Sequence, residues 1–158
     1  MKHTISVLVE NKAGVLAHVA GLFSSRGFNI DSLAVGETKD STVSRMTIVL
    51  DANDEVLEQV VKQLHKLIDV VKVQDLTGQD FIDRELVLIK VDAKPNKRSE
   101  IMQVANTFRG RIVDVKPRSL TIELTGNRNK IEAIVQFLKE FGIKEIVRTG
   151  SVAMARGK

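Results

Sequence analysis

The chain has 158 residues, 43% of them apolar and 28% charged, with six Phe, no Trp or Tyr, and a net charge of +4 at pH 7. Without cysteine, neither disulfides nor thiolate zinc sites can form, which fits a reducing compartment. No run approaches the roughly 18 unbroken apolar residues of a membrane helix, and Met1 leads into strand-like sequence rather than a signal peptide. The expected location is therefore the cytoplasm, or a mature form whose targeting segment has been removed.

In chain order, "HTISVLVE" (3–10) is β-rich, and Val15, Leu16, Val19, Leu22 and Phe23 fall on one stripe of a helix predicted over 14–25. "NIDSLAVGE" (29–37) and "VSRMTIVL" (43–50) read as a hairpin around the polar turn "TKDST". A second helix starts near Asp54 and turns Val56, Leu57, Val60, Val61, Leu64 and Leu67 to one side. "DVVKVQDL" (69–76) closes a βαββαβ unit.

After "TGQD" the order recurs: "ELVLIKVDA" as strand, "SEIMQVANTF" as helix, "GRIVDVK" and "SLTIELTG" as strands, then "NRNKIEAIVQFLKEF" and "IKEIVRTG". Gly27 and Gly110, each following an arginine at a helix end, mark corresponding points, and the shorter second copy is expected to have lost its residues from the hairpin. The predicted class is α+β, two tandem ferredoxin-like βαββαβ domains with helices on one face of each four-stranded sheet. The boundaries expected are 1–77 and 84–158, joined by a linker over 78–83. Charge divides the halves as well: eight Lys/Arg face eleven Asp/Glu in residues 1–80, against sixteen and nine in 81–158.

The stretch "ENKAGVL" (10–16) carries the first chemical signal. A helix start offers backbone N–H groups without intrahelical partners and a partial positive charge, where a carboxylate can dock. Gly14 has no side chain to obstruct approach, and Asn11 can cap the helix or touch a ligand; the plainer alternative is that both only shape a tight turn. Asn29 has donors and an acceptor suited to either end of an amino acid, yet is equally ordinary in a turn after Gly27.

Catalysis finds no support. The three histidines are dispersed at 3, 18 and 65, and no metalloprotease, nucleophile-elbow or P-loop pattern occurs. Nucleic acid is the competing reading, because RNA-recognition modules share the βαββαβ order and the second half is basic. Those modules stack bases on strand aromatics, which "ISVLV", "SRMTIVL", "LVLIKV" and "LTIEL" lack. Arg109, Arg111, Lys116 and Arg118 form a basic run that suits solvent or a partner. No nucleic-acid or membrane partner is expected, with an RNA-binding or other interaction module using the basic half kept as the alternative.

"SVLVENKAGVL", "GLFSSRGFNIDSL", "SRMTIVL" and "KQLHKLIDVVKV" resemble the amino-acid-binding ACT domain of the small, regulatory subunits of acetolactate synthase, also called acetohydroxyacid synthase. "RELVLIKV", "FRGRIVDV", "TIELTG" and "RTGSVAMARG" extend the resemblance to the second half. It implies a chain without a catalytic site of its own that activates a separate large catalytic subunit and confers feedback inhibition by valine or another branched-chain amino acid. Thiamine diphosphate, Mg²⁺ and FAD would belong to that partner. It further implies a homodimer through the ACT domains, the effector lying between Asn11, Ala13, Gly14, Val15 and Leu16 of one chain and Asn29 and Ile30 of the other. The isopropyl group would sit among Val15, Leu16 and Ile30. No equivalent effector site is expected in the second copy, where "DAKPNKRSE" replaces the glycine with Pro95 and charged residues.

Overall fold

Alternate residues of the first strand share one face: in β1 (Lys2–Glu10), His3, Ile5, Val7 and Val9 are buried, and on the opposite face Ser6 is covered as well, accepting a hydrogen bond from Arg45. The computed structural model describes residues 1–157. Its first unit continues through α1 (Val15–Ser25), β2 (Ile30–Glu37), β3 (Val43–Asp51), α2 (Asp54–His65) and β4 (Val70–Asp75). The strands form an antiparallel sheet in the order β2-β3-β1-β4. Ile5, Val7, Met46, Ile48 and Leu50 from the sheet meet Val19 and Phe23 of α1 and Leu57, Val60 and Leu64 of α2 in one core. Leu16 departs from the predicted stripe: it is 48% exposed while Val15 is 2% exposed.

Both helices of this unit have local stop and start signals. Gly27 takes φ +72°, the left-handed conformation that glycine adopts without a Cβ penalty. Its N–H bonds Ser24 and that of Phe28 bonds Phe23, while the two phenyl rings meet edge to face at 6.4 Å. Asn53 caps α2 by accepting the Val56 N–H at 2.8 Å, with Asp54 and Glu55 in the first turn, where negative charge is favoured.

The second unit repeats the order: β5 (Phe81–Asp92), α3 (Arg98–Thr107), β6 (Arg111–Lys116), β7 (Ser119–Gly126), α4 (Arg128–Leu138) and β8 (Ile143–Arg148), the sheet running β6-β7-β5-β8. Val87, Ile89, Val91, Leu120, Ile122 and Leu124 pack against Ile101, Ala105, Ile131, Ile134 and Leu138. The hairpin is shorter than in the first unit, as expected: Pro117 and Arg118 alone join β6 to β7, where residues 38–42 join β2 to β3.

Three local features differ from the sequence reading. Gly27 and Gly110 are not equivalent: Arg109 takes the left-handed conformation (φ +61°) at the end of α3, its N–H bonding Asn106 while that of Gly110 bonds Ala105. Gly110 is glycine for a different reason, since a Cβ there would meet Ile122 Cγ2 at 3.0 Å and the Glu123 carbonyl at 3.3 Å. Phe81–Asp83, read as linker, begin β5. The chain from Ser151 onward, read as part of the second domain, clusters with residues 1–82. There a ninth strand, β9 (Val152–Ala155), pairs with β5, and the Arg156 N–H bonds the Asp80 carbonyl at 2.9 Å. The two displacements share a cause: a strand from later in the chain pairs with a segment that the sequence reads as a linker.

Candidate functional site

The loop from Glu10 to Gly14 is fastened from three sides. The Glu10 N–H bonds the Asp69 carbonyl (2.9 Å) and the Asn11 N–H bonds that of Thr42 (2.8 Å). The Asn11 side-chain amide donates to the Ser41 carbonyl (2.9 Å) and to Glu37 Oε1 (3.3 Å). Asn11 therefore does not cap α1; it ties the loop to the β2–β3 hairpin. Lys12 reaches Glu10 at 2.8 Å and Asp69 at 3.2 Å.

Gly14 follows with φ +89°, and no side chain caps the helix it opens. No heavy atom lies within 4 Å of the position a Cβ would take. Glycine is required here by its backbone conformation, and the space in front of it is open. The first turn of α1 thus presents N–H groups and a positive dipole end at an unobstructed surface, with no acidic residue in that turn. Ala13 and Leu16 are exposed beside it. Val15 is in the core, so its side chain does not line this surface; its N–H approaches the Lys12 carbonyl at 3.5 Å.

Asp69 is a residue the sequence reading missed. Its side chain is 5% exposed, and it takes His18 Nδ1 at 2.9 Å as well as Lys12. The His18 hydrogen bond, then that of Lys12, holds its carboxyl below the usual carboxylate range; Glu10 and Asp69 hold the Lys12 ammonium above its ordinary value. Fifty-one residues separate His18 from Asp69, so no local spacing could have announced the pair. The cluster anchors the loop and α1 to the entry of β4, ordering the helix start in advance of any ligand.

Asn29 and Ile30 lie at the other end of α1. Asn29 is exposed and its amide donates to Asp31 Oδ1 at 3.0 Å; Ile30 is half-buried against the core. The eleven residues of α1 span about 16 Å at 1.5 Å per residue. The structure therefore brings Asn11, Ala13, Gly14 and Leu16 together and leaves Asn29 and Ile30 too far away to share one pocket within one chain.

At the corresponding place in the second unit the Asp92 N–H bonds the Gly142 carbonyl at 2.8 Å, matching the Glu10–Asp69 bond. A cleft of about 430 Å³ there is lined by Asp92, Lys94, Lys97, Glu100, Glu140 and Phe141. Pro95 opens a short 3₁₀ turn where the first unit has its glycine-led start. With five charged residues around one phenyl ring, this lining is unsuited to a branched aliphatic side chain.

His3 is 3% exposed with neither ring nitrogen hydrogen-bonded, and His65 is exposed on α2. Among the described residues, no three His, Cys, Asp or Glu side chains are grouped as metal ligands would be, and no helix is long and apolar enough to cross a membrane.

Two family models match this sequence. One, described as an AHAS small subunit-like ACT domain, covers residues 5–72; the other, described as small subunit of acetolactate synthase, covers residues 84–157. The probable acetolactate synthase small subunit of Archaeoglobus fulgidus is 57% identical over 157 residues, 99% of this chain and 98% of that one. The acetolactate synthase small subunit of Mycobacterium bovis is 54% identical, covering 98% of this chain and 92% of its own. Among solved structures, the small subunit of acetolactate synthase from Thermotoga maritima superposes with a TM-score of 0.89 at 43% identity, over 100% of this chain and 99% of that one.

Proposed function

The chain belongs to the family of acetolactate synthase small subunits, the regulatory chains of a transferase complex, and from that premise we propose that it activates the catalytic subunit and makes it sensitive to valine. The observation that carries the second half of this reading is the helix start at Gly14: left-handed, uncapped, unobstructed, and braced by Asn11 and Lys12. A valine carboxylate placed there meets the N–H groups and dipole of α1, and the exposed Leu16 is beside it for the isopropyl group.

A complete pocket needs a second copy. Asn29 and Ile30 stand about a helix length from Gly14, so the opposite wall comes from the partner of a two-fold dimer, whose symmetry supplies two identical sites. Val15 contributes through its main chain, its side chain being committed to the core. The fit discriminates modestly among branched-chain amino acids, because one methylene in an apolar pocket changes binding by about 1–3 kcal/mol. Thiamine diphosphate, Mg²⁺ and FAD reside on the catalytic subunit, and the complex works in the cytoplasm.

The test combines binding and turnover. Calorimetric titration of the chain with valine should give saturable binding of one valine per chain, and acetolactate formation by the catalytic subunit should rise on adding the chain and fall again with valine. Activation without any valine response would remove the effector site while leaving the regulatory subunit; no activation at all would remove both.

A further inference from the structure

The entry of β2 joins the proposed effector wall to the end of the chain. Asn29 donates its amide to Asp31, which is also ion-paired with Lys2. Asp31 is the residue skipped in the pairing of β2 with β3, where the register shifts between Ile30 and Ser32. The next residue, Ser32, accepts the Ser151 N–H on its Oγ at 2.9 Å. From there the chain is held along the first unit: Ser151 and Ala153 are each 8% exposed, β9 lies against β1, and Arg156 binds Asp80 through its N–H (2.9 Å) and through Nε (3.1 Å).

This segment follows directly on the second unit. Thr149 is fixed there, its N–H bonding the Leu86 carbonyl and its Oγ1 accepting the Leu86 N–H. Only Gly150, at φ +85°, separates it from Ser151, which is fixed in the first unit. A displacement at Ser32 therefore has one residue of slack before it reaches a residue anchored in the other unit.

We propose that Ser151–Arg156 is a strap that carries occupancy of the amino-acid site to the second unit, with Asp31 and Ser32 as its positioning residues. This rests on the effector reading, in which valine engages Asn29. An effector that takes the Asn29 amide removes a donor from Asp31, the bulge residue. The bulge then re-registers, Ser32 shifts, and the Ser151 bond opens. Valine loosens the strap, and the second unit responds.

The experiment uses the full chain with its catalytic subunit and follows amide exchange of residues 151–156, valine affinity by calorimetry, and acetolactate formation. Saturating valine should speed exchange of the strap about fivefold or more. Ser32→Ala, which opens the strap without valine, should show fast exchange with or without it, bind valine at least as tightly as the parent, and lower acetolactate formation in the absence of valine toward the inhibited level. Ser32→Thr, which retains the hydroxyl, should restore the parent's response. A merely structural Ser32 would not tie loss of activation to faster strap exchange while leaving valine binding intact. Strap exchange indifferent to valine, or Ser32→Ala with fast strap exchange and the parent's full activation, overturns the strap. Failure of the unaltered chain to bind valine overturns the effector reading and the strap's role with it.

Discussion

Replacing Gly14 with Asp places a carboxylate where the effector's own carboxylate is proposed to dock. Two opposing terms set its effect on folding. A non-glycine residue at φ +89° costs about 1–2 kcal/mol, and a negative charge at a helix start returns about 0.3–1 kcal/mol. The net loss is about 1 kcal/mol, a fall in Tm of about 4–8 °C for a unit of this size, so the variant folds. On the ligand the effect is larger. Two like charges about 5 Å apart, at an effective dielectric constant of about 20, repel by roughly 3 kcal/mol, which is about 100-fold in affinity. Gly14→Ala separates the causes, because it carries the same backbone strain without the charge and its Cβ meets nothing within 4 Å. Calorimetry should find Gly14→Asp effectively blind to valine and Gly14→Ala weakened far less, while both still activate the catalytic subunit. Equal losses in the two variants would show that backbone geometry, rather than an anion site, governs binding; undiminished valine sensitivity in Gly14→Asp would move the site elsewhere.

Asn29→Ala should weaken valine binding while leaving the unfolding free energy within about 0.5 kcal/mol of the parent, as expected for an exposed side chain; sedimentation showing a monomer that still binds valine would refute the shared pocket. The depressed Asp69 carboxyl contributes stability that is present above its unfolded value of about 3.9 and lost as pH falls through its lower folded value. Tm measured from pH 5 to pH 2 should therefore fall less steeply in Asp69→Asn than in the parent, and parallel curves would count against the coupling to His18 and Lys12. In the second unit, Gly110→Ala should destabilise by about 1–3 kcal/mol because its Cβ meets backbone and a buried isoleucine. Arg109→Gly, by relieving a left-handed arginine, should stabilise by up to about 1 kcal/mol; denaturant unfolding of the two variants shifting in the same direction would contradict the offset helix ends.

Periodicity was enough to read most of the architecture. Strands with alternate buried residues, such as Ile5, Val7 and Val9, and helices with a repeated face, such as Leu57, Val60 and Leu64, carry their burial pattern in local spacing, because side-chain direction repeats every two residues in a strand and every 3.6 in a helix. The duplication followed from the same signal met twice. The helix start at Gly14 was legible too, since a glycine ahead of an apolar stripe is a local statement about backbone conformation.

What the sequence alone determined, then, is every feature that a segment settles with its immediate neighbours: element types, their order, the repeat, and the position of one glycine-led helix start. Tertiary structure decided what depends on partners remote in the chain. Asn11 could cap α1 or turn away, and the Ser41 carbonyl decided it. His18 found Asp69, Phe81–Asp83 became strand, and the final residues returned to Ser32 and Asp80. Each of these joins groups whose separation in sequence carries no periodic mark. Their pairing is fixed only once folding has brought them within hydrogen-bonding distance, where a buried polar group left without a partner would cost more than the contact itself contributes.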